Sequence, residues 1–189
     1  MSLRLPVASR TTEQGRGDSV KSGAYRTSRV AKRAIHHMTL EDLAAINREV
    51  VALTNEPHEY SAADGEQMEE LLAEVERRTS EGEQGAIAEK AALLVYKIAS
   101  GQHFHGGNKR TALVAGEVFL LKNGRKIDFT DSSLVSVVDR VGIAAASLDD
   151  LRVVIEGLMS KTKLERKSWQ SVIKQVVDSN KKFLVEAGS

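Results

Sequence analysis

Neither the helical nor the strand period of apolar residues appears over residues 1–37, and a strong helical period begins just after. Leu40, Leu43, Ile46, Val50 and Leu53 recur at helical spacing. Thr39 and Asp42 form a capping pair at the start, since the Thr oxygen can accept a backbone N–H and the carboxylate can answer it. Residues 55–65 contain Pro57 and read as a loop. A charged helix is predicted over 67–78, with Met68, Leu71, Leu72 and Val75 on one side, followed by a polar loop over 79–85. Residues 87–99 are apolar nearly all round, the mark of a buried helix. Residues 101–108 break it. Residues 109–122 are again apolar on most faces and stop at Asn123-Gly124, where glycine tolerates the left-handed cap position. Residues 125–130 alternate and suggest a short strand. Two helices follow over 134–146 and 148–159, the second opened by Ser147 with Asp150 three on. A last amphipathic helix over 164–184 puts Trp169, Val172, Ile173, Val176 and Phe183 on one stripe. The predicted class is all-α: a bundle of about six to seven helices, with at most a short strand or hairpin.

Charge divides the chain further. There are 27 Lys+Arg and 26 Asp+Glu, a net of +1. The split is uneven: residues 1–37 carry +6 and the remainder −5. The head is rich in Ser, Thr, Gly and Arg, so a flexible extension is expected there; an export address for a secreted effector is the alternative. The absence of Cys excludes a disulfide scaffold, Cys-based zinc sites and a Cys nucleophile. No apolar run approaches the roughly 18 residues of a membrane span. A cytoplasmic protein without membrane or nucleic-acid partners is expected. The last helix region carries seven Lys/Arg against three Asp/Glu over 161–186. It reads as an apolar stripe packed on the body with a solvated basic face.

The chemistry concentrates in Gly101-Gln-His-Phe-His-Gly-Gly-Asn-Lys-Arg-Thr111, between two buried helices. Gly106 and Gly107 let the backbone approach a ligand closely and turn N–H groups toward it. The helix that begins at Asn108 adds unpaired donors and partial positive charge, and Lys109 and Arg110 add full charges. This is an anion site suited to phosphate. It is not a Walker loop, because Gly107-Asn108 stands where Lys-Ser/Thr is required. His103 and His105 form an H-x-H pair, but spacing supplies no third metal ligand.

Together with residues 91–100 and Phe119-Leu-Leu-Lys-Asn-Gly124, this segment resembles the Fic/Doc family. The family motif reads His-x-Phe-x-(Asp/Glu)-(Ala/Gly)-Asn-(Gly/Lys)-Arg, and Phe104, Gly107, Asn108, Lys109 and Arg110 match it in register. Lys109 followed by Thr111-Ala112-Leu113 resembles the Doc, death-on-curing, branch; a second Arg usual in Fic proteins is replaced by Leu113. The likeness covers about residues 37–160. It implies a Fic/Doc-like domain over 38–160, with a basic extension over 1–37 and an additional helix over 161–189.

The resemblance also implies an activity: transfer of a phosphate or AMP group from ATP or another nucleotide to a hydroxyl of a target protein, a translation factor in the Doc case. A separate antitoxin would restrain such a toxin. In this picture Gly106, Gly107, Asn108, Lys109 and Arg110 hold the phosphates, Arg110 also serves catalysis, and Phe104 anchors the loop. Two departures cut against it. Gln102 occupies the position of the catalytic His, and an amide cannot take a proton near neutral pH. Gly106 replaces the acidic residue, which removes the family's reason to expect magnesium. His103, one residue short of the required spacing, is the better candidate substitute base, with His105 the other. A catalytically dead binding module on the same fold is the alternative. The family's inhibitory motif Ser/Thr-x-x-x-Glu-(Gly/Asn) has no full match, since Gln14 follows Ser9 and Glu13.

Overall fold

The computed structural model describes residues 34–79 and 82–188. Of the extension expected to be flexible over 1–37, residues 1–33 lie outside the described residues, whereas 34–37 are described and His36 is hydrogen-bonded to Asn123.

Among the described residues there are eight helices and one two-stranded ribbon. Helix α1 spans Leu40–Ala52, α2 Ala62–Arg77, α3 Gly82–Gly101 and α4 Asn108–Lys122. Strand β1, Arg125–Lys126, leads to α5, Ser132–Gly142, and α6, Leu148–Leu158. Strand β2, Ser160–Lys161, precedes α7, Trp169–Ser179, and α8, Lys181–Glu186. The strands pair antiparallel, Arg125 opposite Lys161 and Lys126 opposite Ser160. The class is all-α, as the apolar periods imply.

Local chemistry sets the ends of these elements. Thr39 caps α1 and Asp42 returns the bond to the Thr39 N–H, the reciprocal box that the sequence predicts. Ser61 and Asp64 build the same box for α2, which therefore starts at 62 rather than 67. Ser147 and Asp150 cap α6 in the same way. At the other end of α2, the Lys90 ammonium donates to the carbonyls of Val75 (2.7 Å) and Glu76 (2.5 Å), placing a buried cation at a helix C-terminus. Helix α3 begins at Gly82 and takes in part of the predicted polar loop. The predicted last helix begins at 169 and breaks at Asn180.

Helices α3 and α4 form the centre. Ala88, Ala91, Ala92, Leu94 and Ile98 of α3 and Ala112, Val114, Ala115 and Val118 of α4 are shut off from solvent. Their close approach depends on Gly116: a Cβ there would lie 2.6 Å from Val95 Cγ2. Helices α1, α2, α5 and α6 pack around this pair. Helix α7 lies on α1 and α4, and Val172, Ile173, Val176 and Val177 are buried there. The C-terminal helix is therefore part of the core. Before α1, Asn123 accepts from the His36 N–H (2.8 Å) and donates to its carbonyl (3.0 Å), fixing the approach to the bundle.

Candidate functional site

The segment between α3 and α4 folds as a tight loop over residues 102–107. Phe104 is its apolar peg. It is 3% exposed and meets Tyr60 edge-on at 5.7 Å between ring centres, with His58 at 6.1 Å. Asn108 fastens the loop around that peg: its side chain accepts from the Phe104 N–H (3.0 Å) and donates to the Phe104 carbonyl (2.6 Å). Both ends of the amide are used within the loop. From α1, the fully buried Asn47 donates to the Gly106 carbonyl and to Thr111 Oγ1, both at 3.0 Å.

Gly107 is the N-cap of α4 with φ of +70°. A side chain there would strain the left-handed backbone and crowd Val51. Gly107 also has no side chain with which to cap the helix, and no acidic residue sits in the first turn of α4. Helices α1, α2 and α6 by contrast close their N-termini with capping boxes. The first-turn N–H groups of α4 lack such a cap and have no partner within the helix.

A cavity of about 690 Å³ opens over this helix start. Its polar wall is Gln102, His105, Gly106, Gly107, Asn108, Lys109, Arg110 and Glu56. Leu113 and the α5 residues Val135 and Val138 form an apolar side. Phe183, Glu186, Ala187 and Gly188 close it from the C-terminus. The volume lies within the range of small-molecule pockets.

The two motif cations are differently placed. Lys109 is half exposed and pairs with Asp139 of α5 at 2.8 Å. Arg110 is 6% exposed and held on several sides. Its guanidinium pairs with Glu56 and donates to Thr54 Oγ1 (3.0 Å) and toward the Leu184 carbonyl (3.5 Å). Gly188 lies so close that a Cβ would strike the guanidinium. Glu56 accepts from Thr54 Oγ1 at 2.5 Å. That bond and the Arg110 charge together hold its carboxyl below the usual range against the opposing effect of burial. The other oxygen of Glu56 faces Gly106, and a Cβ on Gly106 would lie 2.6 Å from it.

The histidines separate. Gln102 lines the cavity from a left-handed backbone position, φ +51°, just after α3. His103 turns the other way. It is 7% exposed, folded against Gly101, and its Nδ1 has no hydrogen-bond partner. Burial pushes its imidazole below its ordinary pKa. His103 is not among the residues that line the cavity; His105 is.

The model of the Fic/DOC family matches residues 14–120, more than half of the chain. The chain belongs to the Fic/DOC family. No curated protein and no solved structure matches it. The Fic/DOC match runs through α1 to α4 and so includes the loop and the start of α4, but it ends before Val135, Val138, Asp139 and the C-terminal wall. Sequence reasoning placed no function on Asn47, Thr54, Glu56, Glu59 or Asp139. Each reaches the loop or the start of α4 from a distant part of the chain, and no spacing marks it. Among the described residues no helix is long and apolar enough to cross a membrane, and no cluster of three His, Asp or Glu suited to a metal occurs.

Proposed function

We propose that the cavity binds the phosphates of a nucleotide such as ATP and that the protein passes a phosphate or nucleotidyl group to a hydroxyl of another protein. The observation that carries this reading is the open start of α4: uncapped N–H groups, an αL glycine, a lysine and a cavity of nucleotide size in one place. Gly106, Gly107 and the N–H groups of Asn108 and Lys109 form the cradle. Lys109 turns from Asp139 to the phosphates at small cost, because a half-exposed ion pair is worth about 0–1 kcal/mol. Arg110 braces the cradle through Glu56 and lends its charge from behind. Catalysis in this class rests on positioning and on neutralising phosphate charge. Leu113, Val135, Val138 and Phe183 offer the base an apolar wall.

Magnesium would enter with the phosphates, and bound there it would offset their charge. Gly106 gives it no ligand, whereas Glu56 presents one carboxylate oxygen at that same place. One protein oxygen suits magnesium, which keeps most of its shell as water and phosphate. Family likeness to the Doc branch suggests a translation factor as target and an antitoxin protein as restraint.

Radiolabelled ATP with a cell extract tests the reading. Label should move to protein, and Lys109→Ala should lower the rate by about tenfold or more. A second reading, nucleotide binding without transfer, is favoured by the amide at Gln102. Binding with no label moved would establish it.

A further inference from the structure

We propose that His105, oriented by Glu59, is the group that accepts the hydroxyl proton in this transfer, in place of the amide at Gln102. The proposal rests on the transfer reading above. His105 is the histidine that lines the cavity. Its Nδ1 lies 3.2 Å from Glu59 Oε2, and its backbone N–H donates to the Glu59 carbonyl at 3.1 Å. Residue 59 thus holds residue 105 by backbone and side chain together. The neighbours are fixed as well, because Phe104 is packed on Tyr60 and Gly106 is held by Asn47.

The tautomer follows from the partner. A carboxylate can only accept, so a neutral His105 facing Glu59 carries its proton on Nδ1 and leaves the Nε2 lone pair free. Both side chains are more than half exposed, His105 at 60% and Glu59 at 66%, so a protein hydroxyl can reach Nε2. The other two histidines near the loop are not among the residues that line the cavity: His103 is folded against Gly101, and His58 packs on Tyr60 and Phe104.

The hydroxyl proton passes to His105 Nε2 while the oxygen bonds to a phosphorus of the nucleoside triphosphate. The bond from that phosphorus to its leaving oxygen breaks. Nucleoside diphosphate departs with the electron pair in phosphate transfer, pyrophosphate in nucleotidyl transfer. The imidazolium then returns its proton to water. Glu59 touches neither reactant and is a positioning residue.

His105→Gly in the full chain, assayed for label transfer and for ATP affinity, tests this. Transfer should fall about 100-fold or more while ATP affinity stays within about threefold, and free imidazole should restore part of the rate. Glu59→Gln should slow the wild-type background but add nothing in the His105→Gly background, as expected of a residue that acts only through the imidazole. Transfer insensitive to His105→Gly, or a loss that imidazole does not relieve, overturns the proposal and leaves the transfer reading standing. A wild-type protein that binds ATP and moves no label overturns both.

Discussion

Glycine at 106 is paired with glutamate at 56. Any side chain at 106 meets the Glu56 carboxylate, so the acid missing from the motif is matched in space by an acid from the turn after α1. Restoring the motif by Gly106→Asp alone should therefore destabilise the fold by about 1–3 kcal/mol, through overpacking and like-charge contact. Glu56→Ala alone leaves the buried Arg110 without its carboxylate and should cost about 3–5 kcal/mol. The double variant should recover much of both losses, because the new Asp can face Arg110. Chemical denaturation of the four proteins measures this coupling; additive losses would show that the two positions are independent. The motif was legible in the sequence because its members are contiguous. Glu56 was not, because its position reflects the folded path of a loop that no apolar period describes.

At the scale of elements, helix ends decided where sequence reading succeeded. Thr39-Asp42 and Ser147-Asp150 announced α1 and α6 through their spacing. Ser61-Asp64 has the same spacing, yet the loop expected from Pro57 extended over it. The end of α5 shows a cap with no sequence signal. The Ala145 N–H reaches the Arg140 carbonyl at 2.7 Å and the Ala144 N–H the Val141 carbonyl at 3.0 Å, with Ala144 at φ +56°. This is the Schellman arrangement, which normally places glycine at the left-handed position. The predicted helix ran on to 146 because alanine favours helix. Ala144→Gly should relieve the left-handed strain and raise stability by up to about 1 kcal/mol, read as a higher melting temperature. A lower melting temperature would contradict that account of the cap. Likewise the amphipathic stripe of the last helix was legible. Its break at Asn180, which turns Phe183 and Glu186 onto the cavity, was not.

For the molecule as a whole, the two-sided burial of α3 and α4 was plain from their nearly unbroken apolar runs. The charged residues inside that core were not. Burial, aided by Asp128, raises the Glu117 carboxyl to about 7. Between the ordinary glutamate pKa and 7 the folded chain holds a proton that the unfolded chain has lost, so this group makes stability fall as pH rises through that window. Glu117→Gln should match the wild type near pH 4 and exceed it above pH 7 by about 1–3 kcal/mol. Urea unfolding across that range reads the difference, and a gap independent of pH would contradict it. His37, His58 and His103, all depressed by burial, push the other way below pH 6.5 and cancel in the comparison.

Both the binding and the transfer proposed for this protein depend on the open start of α4 as a phosphate cradle. Isothermal titration of ATP into the wild type and Lys109→Ala tests it most directly. Saturable binding at one site, weakened about tenfold by the substitution, is the expected result. No heat of binding, or an affinity unchanged by the loss of Lys109, would contradict it.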